Sequence, residues 1–237
     1  MSRCPSPRPG QWTAAGRRLK DGWAMQVEPM TTLSDRHAGS LLQRLRIPLL
    51  RALFVLLLAP ILFIRSAWTD IPAMASLLRI AGVFLVFAAV LGRFWAILYI
   101  GGRKNLSVMC DGPYSISRHP LYLASTIGAT GLGLLLQSVT LAILIGGVTF
   151  AVLLATARQE ERNLRGIFGP AYDDYSRVTP RLLPAPHLFH TPSEVMFRPA
   201  HLRVNFADAL VFLGFIPLAE IISVLHVHGW LAGPILP

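Results

Sequence analysis

Residues 121–157 contain no charged side chain in 37 consecutive positions. A bilayer core of about 30 Å is crossed by roughly 20 helical residues, so this run has the length of two spans and not one. Gln137 and Ser138 fall near its middle and are the expected tight turn of a helical hairpin covering about 120–157. Three further apolar runs occupy residues 47–64, 77–100 and 206–225, the last interrupted by Asp208 and Glu220. The expected architecture is therefore all-α and integral to the membrane, with about five transmembrane helices, the fifth the least regular. Composition agrees, because 53% of residues are hydrophobic and only 14% are charged, against about a quarter charged in a soluble domain. Residues 1–46 are polar and aperiodic and are expected to be disordered. The core then covers 47–184, and 185–237 form a C-terminal extension.

The chain carries 22 Lys+Arg against 12 Asp+Glu, a formal charge of +10. In a soluble protein that excess would suggest nucleic acid. Here the basic residues flank apolar runs, so topology accounts for them and no nucleic-acid partner is expected. With a cytoplasmic N-terminus, residues 1–51, 101–120 and 158–205 face the cytoplasm and hold nine, three and seven Lys+Arg. The outer loops hold two, Arg65 and Arg79, and Arg93 lies within a span. This predicts a multi-pass protein with its N-terminus inside. Arginine exceeds lysine by 20 to 2, which fits a GC-rich genome and a bacterial cytoplasmic membrane; in a eukaryotic host the endoplasmic reticulum takes its place. The two cysteines, Cys4 and Cys110, have no metal-ligand spacing and are read as free thiols. Nor is a metal expected at the isolated pair His226 and His228.

Two cytoplasmic segments are too rich in chemistry for connectors. The first runs from Asp111, Gly112, Pro113 and Tyr114 to Arg118, His119, Pro120, Leu121 and Tyr122. The second contains Glu160, Glu161 and Leu164, then Phe168, Gly169, Tyr172 and Tyr175, and ends on Pro180 and Arg181. A helix rising from Pro120 climbs about 27 Å in 18 residues, and its partner descends as far. The hairpin thus returns Glu160 and Glu161 to the depth of His119 and Pro120. Pro120 suits a first helical turn, which places His119 at the N-cap. The free N–H groups and positive dipole end there suit an anion. The paired glutamates suit an ammonium or ribose hydroxyls. A ligand bearing both signs, with an apolar or aromatic remainder, matches the pair of segments.

These motifs closely resemble the isoprenylcysteine carboxyl methyltransferase family, and its phospholipid N-methyltransferase relatives are similar over the same residues, about 76–184. The resemblance implies an integral-membrane enzyme that uses S-adenosylmethionine at the cytoplasmic face of the hairpin. It implies a lipid or prenylated acceptor entering from the bilayer. By position, Tyr114, His119, Pro120, Tyr122, Glu160 and Glu161 would bind the cofactor, with Tyr172, Tyr175 and Arg181 as its C-terminal wall. Arg118, Arg93 and Glu161 are the candidate catalytic residues; an arginine would hold an acceptor carboxylate, and Arg93, a charge within a span, would do so or pair with Glu160 or Glu161. Ala124 departs from the glycine expected after the His-Pro-x-Tyr element, and the extension past residue 185 is not required by the pattern.

A carboxylate acceptor needs no base, whereas a lipid ammonium must first lose a proton, for which His119, Glu160 and Glu161 are the available groups. Simpler roles exist for some of these residues. Tyr172 and Tyr175, with Phe94, Trp95 and Tyr99, also suit an interfacial aromatic belt, and Arg93 lies within snorkelling reach of the interface. Two other functions compete. An NADPH-dependent membrane sterol or enone reductase would need basic residues for the 2′-phosphate, which paired glutamates repel. A non-enzymatic membrane scaffold would bind neither cofactor.

Overall fold

The computed structural model describes residues 60–100, 108–193, 210–231 and 234–236, all belonging to the unit Leu57–Pro237. The expected disordered segment 1–46, and the first apolar run up to residue 59, lie outside the described residues. A short parallel pairing of β1 (Arg65–Ser66) with β2 (Ile235–Leu236) is the one departure from helix in the described secondary structure. Then follow α1 (Pro72–Ile100), the single turn α2 (Pro113–Ile116), α3 (Pro120–Leu135), α4 (Val139–Phe168), α5 (Pro170–Val178) and α6 (Phe215–Val227).

The hairpin forms where expected. Helix α3 ends at Leu135, Gln137 takes the left-handed conformation at φ 59°, and the Ser138 hydroxyl caps α4 by accepting from the Leu141 amide at 3.1 Å. At 1.5 Å per residue the 30 residues of α4 reach about 45 Å, well beyond a 30 Å core. The apolar part ends at Ala157, so the last turns, which carry Glu160 and Glu161, emerge from it.

Helices α1 and α4 are long and apolar enough to cross a membrane. Helix α3, with 16 residues, and the apolar helical stretch Val211–His226 are shorter. Side-chain size is distributed as a lipid solvent would have it. Helix α1 turns Leu77, Ile80, Phe84, Phe87 and Leu91 outward and buries Gly82, Val86, Ala89 and Ala96. In water that outward stripe would be a large exposed apolar patch. In lipid, large residues gain nothing from leaving the bilayer, and small ones allow helices to approach closely. A Cβ on Gly82 would stand 2.6 Å from the Leu135 amide nitrogen and 2.9 Å from the Gly131 carbonyl oxygen, so α1 and α3 touch backbone to backbone. Gly133 meets the backbone of Ala142 in the same way across the hairpin.

The reading of Cys4 as a free thiol falls outside the described residues; Cys110 is buried, 5% exposed.

Candidate active site

The turn before α3 is built by an unusual backbone. Gly112 sits at φ +58°, and a Cβ there would run into the Tyr99 ring, so glycine is required on both counts. Pro113 starts α2, Ser117 returns to an extended conformation, and Pro120 occupies the first position of α3 with His119 as N-cap. Residues after α5 hold this turn from the other side. The Arg118 amide donates to the Pro180 carbonyl at 2.9 Å, the His119 amide to the Arg181 carbonyl at 3.1 Å, and the Ala185 amide to the Ile116 carbonyl at 2.9 Å. The Ser117 hydroxyl adds a bond to the Leu182 carbonyl at 3.1 Å. The Pro180 and Arg181 motif thus acts partly through its backbone, as a strip that fixes the Arg118–His119–Pro120 turn.

The side chains then converge on Glu161, which is 1% exposed. Arg181 grips it with both arms, Nε to Oε1 at 2.9 Å and Nη2 to Oε2 at 2.8 Å. Arg118 Nη1 lies 3.2 Å and His119 Nε2 3.3 Å from the same Oε1. Two guanidiniums on one carboxylate leave this cluster with a positive excess. Glu160, more exposed, accepts from the Tyr122 hydroxyl at 2.8 Å and stands 3.7 Å from His119 Nδ1. The His119 and Tyr122 rings stack at 5.2 Å and 4°. Burial pulls the His119 pKa below its ordinary 6.5, helped by Arg118 and outweighing the pull of Glu160 and Glu161, so the imidazole is neutral near pH 7.

A cavity of about 180 Å³ opens against this cluster. Its polar wall is made of Tyr114, Arg118, His119, Tyr122, Glu160 and Tyr172. Its apolar wall includes Ile100, Val108, Met109, Leu121, Leu164 and Phe168. Two buried polar atoms of the lining, Tyr114 Oη and Arg118 Nε, have no hydrogen-bond partner among the described residues, and Tyr172 Oη, also without a well-formed bond, sits beside the Arg118 guanidinium. Buried polar atoms are nearly always paired, and here the two share one cavity. Burial raises the Tyr114 phenol well above its usual range, with Glu160 adding to it, and pushes Tyr172 up to about 12. Both phenols stay protonated and can donate. Tyr175 also lines the cavity, but its hydroxyl is committed to the Tyr114 carbonyl at 2.7 Å.

Of the residues expected from sequence, Tyr114, Arg118, His119, Pro120, Tyr122, Glu160, Tyr172 and Tyr175 come together around the cavity. Glu161 and Arg181 do not line it and stand behind as the charge cluster that holds Arg118 and His119. Arg93 is also absent from the lining. Its rotation about α1 turns it to the Ser125 hydroxyl at 2.6 Å and over the Phe212 ring at 5.3 Å. Sequence reasoning missed Val108 and Met109, whose signal was a pair of apolar residues just before the Gly112–Pro113 motif.

The phospholipid methyltransferase family profile matches residues 54–171, which include the hairpin and most of this site. A nickel-cobalt-cadmium resistance protein of Alcaligenes xylosoxydans xylosoxydans is 34% identical over 192 residues, 81% of this chain and 89% of its own length. A cobalt-zinc-cadmium resistance protein of Cupriavidus metallidurans is 34% identical over 196 residues, 82% of this chain and 89% of its own. No solved structure matches the chain at a significant level. The motif residues gathered on one cavity, the profile across the hairpin and the near full-length relatives lead to one conclusion: this chain belongs to the phospholipid methyltransferase family.

Proposed function

We propose that the chain transfers a methyl group from S-adenosylmethionine to a lipid-borne acceptor at the cytoplasmic face of a multi-pass bundle of about five spans. The observation that carries this reading is the cavity itself. It presents one cationic corner, Arg118 with the Tyr114 and Tyr172 hydroxyls, and one carboxylate, Glu160. A zwitterionic amino-acid moiety fits that pair of opposite charges, its carboxylate on Arg118 and the phenols and its ammonium towards Glu160. The aromatic and apolar walls suit part of the nucleoside; at about 180 Å³ the cavity is smaller than the roughly 300–1,000 Å³ of a typical ligand pocket, so the site must widen to take the whole cofactor. When bound, the cofactor supplies an activated methyl on a sulfonium, so the chain's own task is positioning and exclusion of water.

The acceptor expected from the resemblance is a prenylated or lipid carboxylate. The charges favour a second reading, a lipid amine. Arg118 is taken by the cofactor's carboxylate, Arg181 is engaged with Glu161 and Arg93 is outside the cavity lining, so no arginine is left for an acceptor carboxylate. An incoming ammonium finds instead the neutral imidazole of His119, 3.7 Å from the Glu160 that faces the cofactor's ammonium. The imidazole of His119 would take the proton that the acceptor ammonium must lose before its nitrogen can receive the methyl group.

Calorimetric titration of the detergent-solubilised full chain with S-adenosylhomocysteine, and with NADPH in parallel, tests the cofactor. Saturable binding of the first alone is expected; binding of NADPH alone would favour the reductase reading, and binding of neither the scaffold. Labelled methyl donor offered with phosphatidylethanolamine vesicles or with a prenylated cysteine acid then separates amine from carboxylate. The relatives' names extend the proposal to a role in resistance to nickel, cobalt, zinc or cadmium, which growth of a deletion strain on those metals examines.

A further inference from the structure

The C-terminal extension lies beyond the residues matched by the family profile, yet one of its side chains is connected to the cavity wall. The 3-10 turn Val211–Gly214 leads into α6 and brings Phe212 against Gly128 of α3, where any side chain would overlap the ring. The guanidinium of Arg93 lies over the same ring, 5.3 Å from its centroid. Arg93 Nη1 donates to the Ser125 hydroxyl at 2.6 Å, and that hydroxyl donates to the Leu121 carbonyl at 2.8 Å. Leu121 belongs to the first turn of α3 and lines the cavity. A continuous path of contacts therefore runs from the 3-10 turn before α6 through α1 to the turn that presents His119 and Pro120.

An arginine within an apolar span costs about 2.5–3.5 kcal/mol on insertion scales, so its retention calls for a use. An aromatic face and a hydroxyl hold the cation in one orientation in a medium of low dielectric, where cation–π contacts are strongest. The Arg93–Ser125 bond ties α1 to α3, and the Ser125 hydroxyl passes that tie one turn back along α3 to the Leu121 carbonyl. We propose that Phe212 and Arg93 are positioning residues for the cavity: the C-terminal helix, acting through Arg93 and Ser125, holds the first turn of α3 and thereby the cofactor-binding face of His119 and Tyr122. The proposal rests on reading the cavity as the S-adenosylmethionine site.

The full chain, wild type and variants, is titrated with S-adenosylhomocysteine, and amide hydrogen exchange is followed over residues 120–126. Phe212→Leu and Arg93→Lys each weaken affinity about tenfold, the scale expected when a displaced support shifts a binding group, and speed exchange over 120–126. Phe212→Tyr, which keeps the ring, restores both. Glu220→Gln serves as the control, because it breaks only the half-exposed Arg79–Glu220 pair at 3.0 Å elsewhere on α6 and leaves both readouts unchanged. Wild-type affinity in Phe212→Leu and Arg93→Lys overturns the proposal. Equal weakening by Glu220→Gln also overturns it, since the helix would then act only as a general brace. Failure of the wild type to bind the nucleoside refutes the cofactor reading instead, and the exchange data still decide the path: unaltered exchange in Phe212→Leu ends it.

Discussion

Glu161 receives a guanidinium from each flank, Arg118 from the turn before α3 and Arg181 from the segment after α5. In Glu161→Gln two cations face each other across a neutral amide. Breaking such a buried pair costs several kcal/mol; with Arg181 a third exposed, a loss of about 2–3 kcal/mol is expected in thermal unfolding. Asp174→Asn, which disturbs a pair exposed by 67% and 78%, should leave the midpoint unchanged. His119 gives a pH test with a definite sign. Its folded pKa lies below 6.5, so the unfolded chain binds a proton more readily than the folded one. Stability is then fully present above pH 6.5 and falls as pH drops below it. His119→Gln should flatten that slope; an unaltered slope in the variant would show that another group titrates. The residue types were legible in sequence because the charged, aromatic and proline residues are concentrated in two short segments next to an uncharged run. The split between Glu160 in the cavity and Glu161 behind it was not, because it depends on how α4 is rotated against α3.

At the scale of elements, the hairpin was readable from length alone, since 37 uncharged residues are too many for one crossing, and Ser138 supplied a cap. The close approach of α1 to α3 was not. It depends on Gly82 meeting Gly131 and Leu135 across the interface, and a glycine in a helix gives no sign of which partner it admits. Gly82→Ala forces a methyl into backbone atoms, and overpacking of that kind costs about 1–3 kcal/mol. Loss of thermal stability without loss of helix content by circular dichroism is the expected result. Gly147→Ala, on the same bundle with open space around it, should be neutral or slightly stabilising.

For the whole molecule, the asymmetry of basic residues predicts that reporter fusions after residues 110 and 190 both read cytoplasmic. A periplasmic or luminal signal at either position breaks the hairpin orientation, and with it the side on which the cavity opens. Helix positions, the hairpin and the residue types of the site follow from the sequence, because hydropathy against a 30 Å slab and short capping and turn patterns are local properties. The family motifs, too, lie along two short stretches of chain. Only the tertiary structure decided which motif residues face the cavity, that Arg93 turns to Ser125 and Phe212, and that Pro180 and Arg181 clamp the Arg118–His119 turn. Each depends on helix rotation or on contacts between residues far apart in the chain. Hydropathy and residue spacing constrain neither, so the packing of small residues between helices settles them.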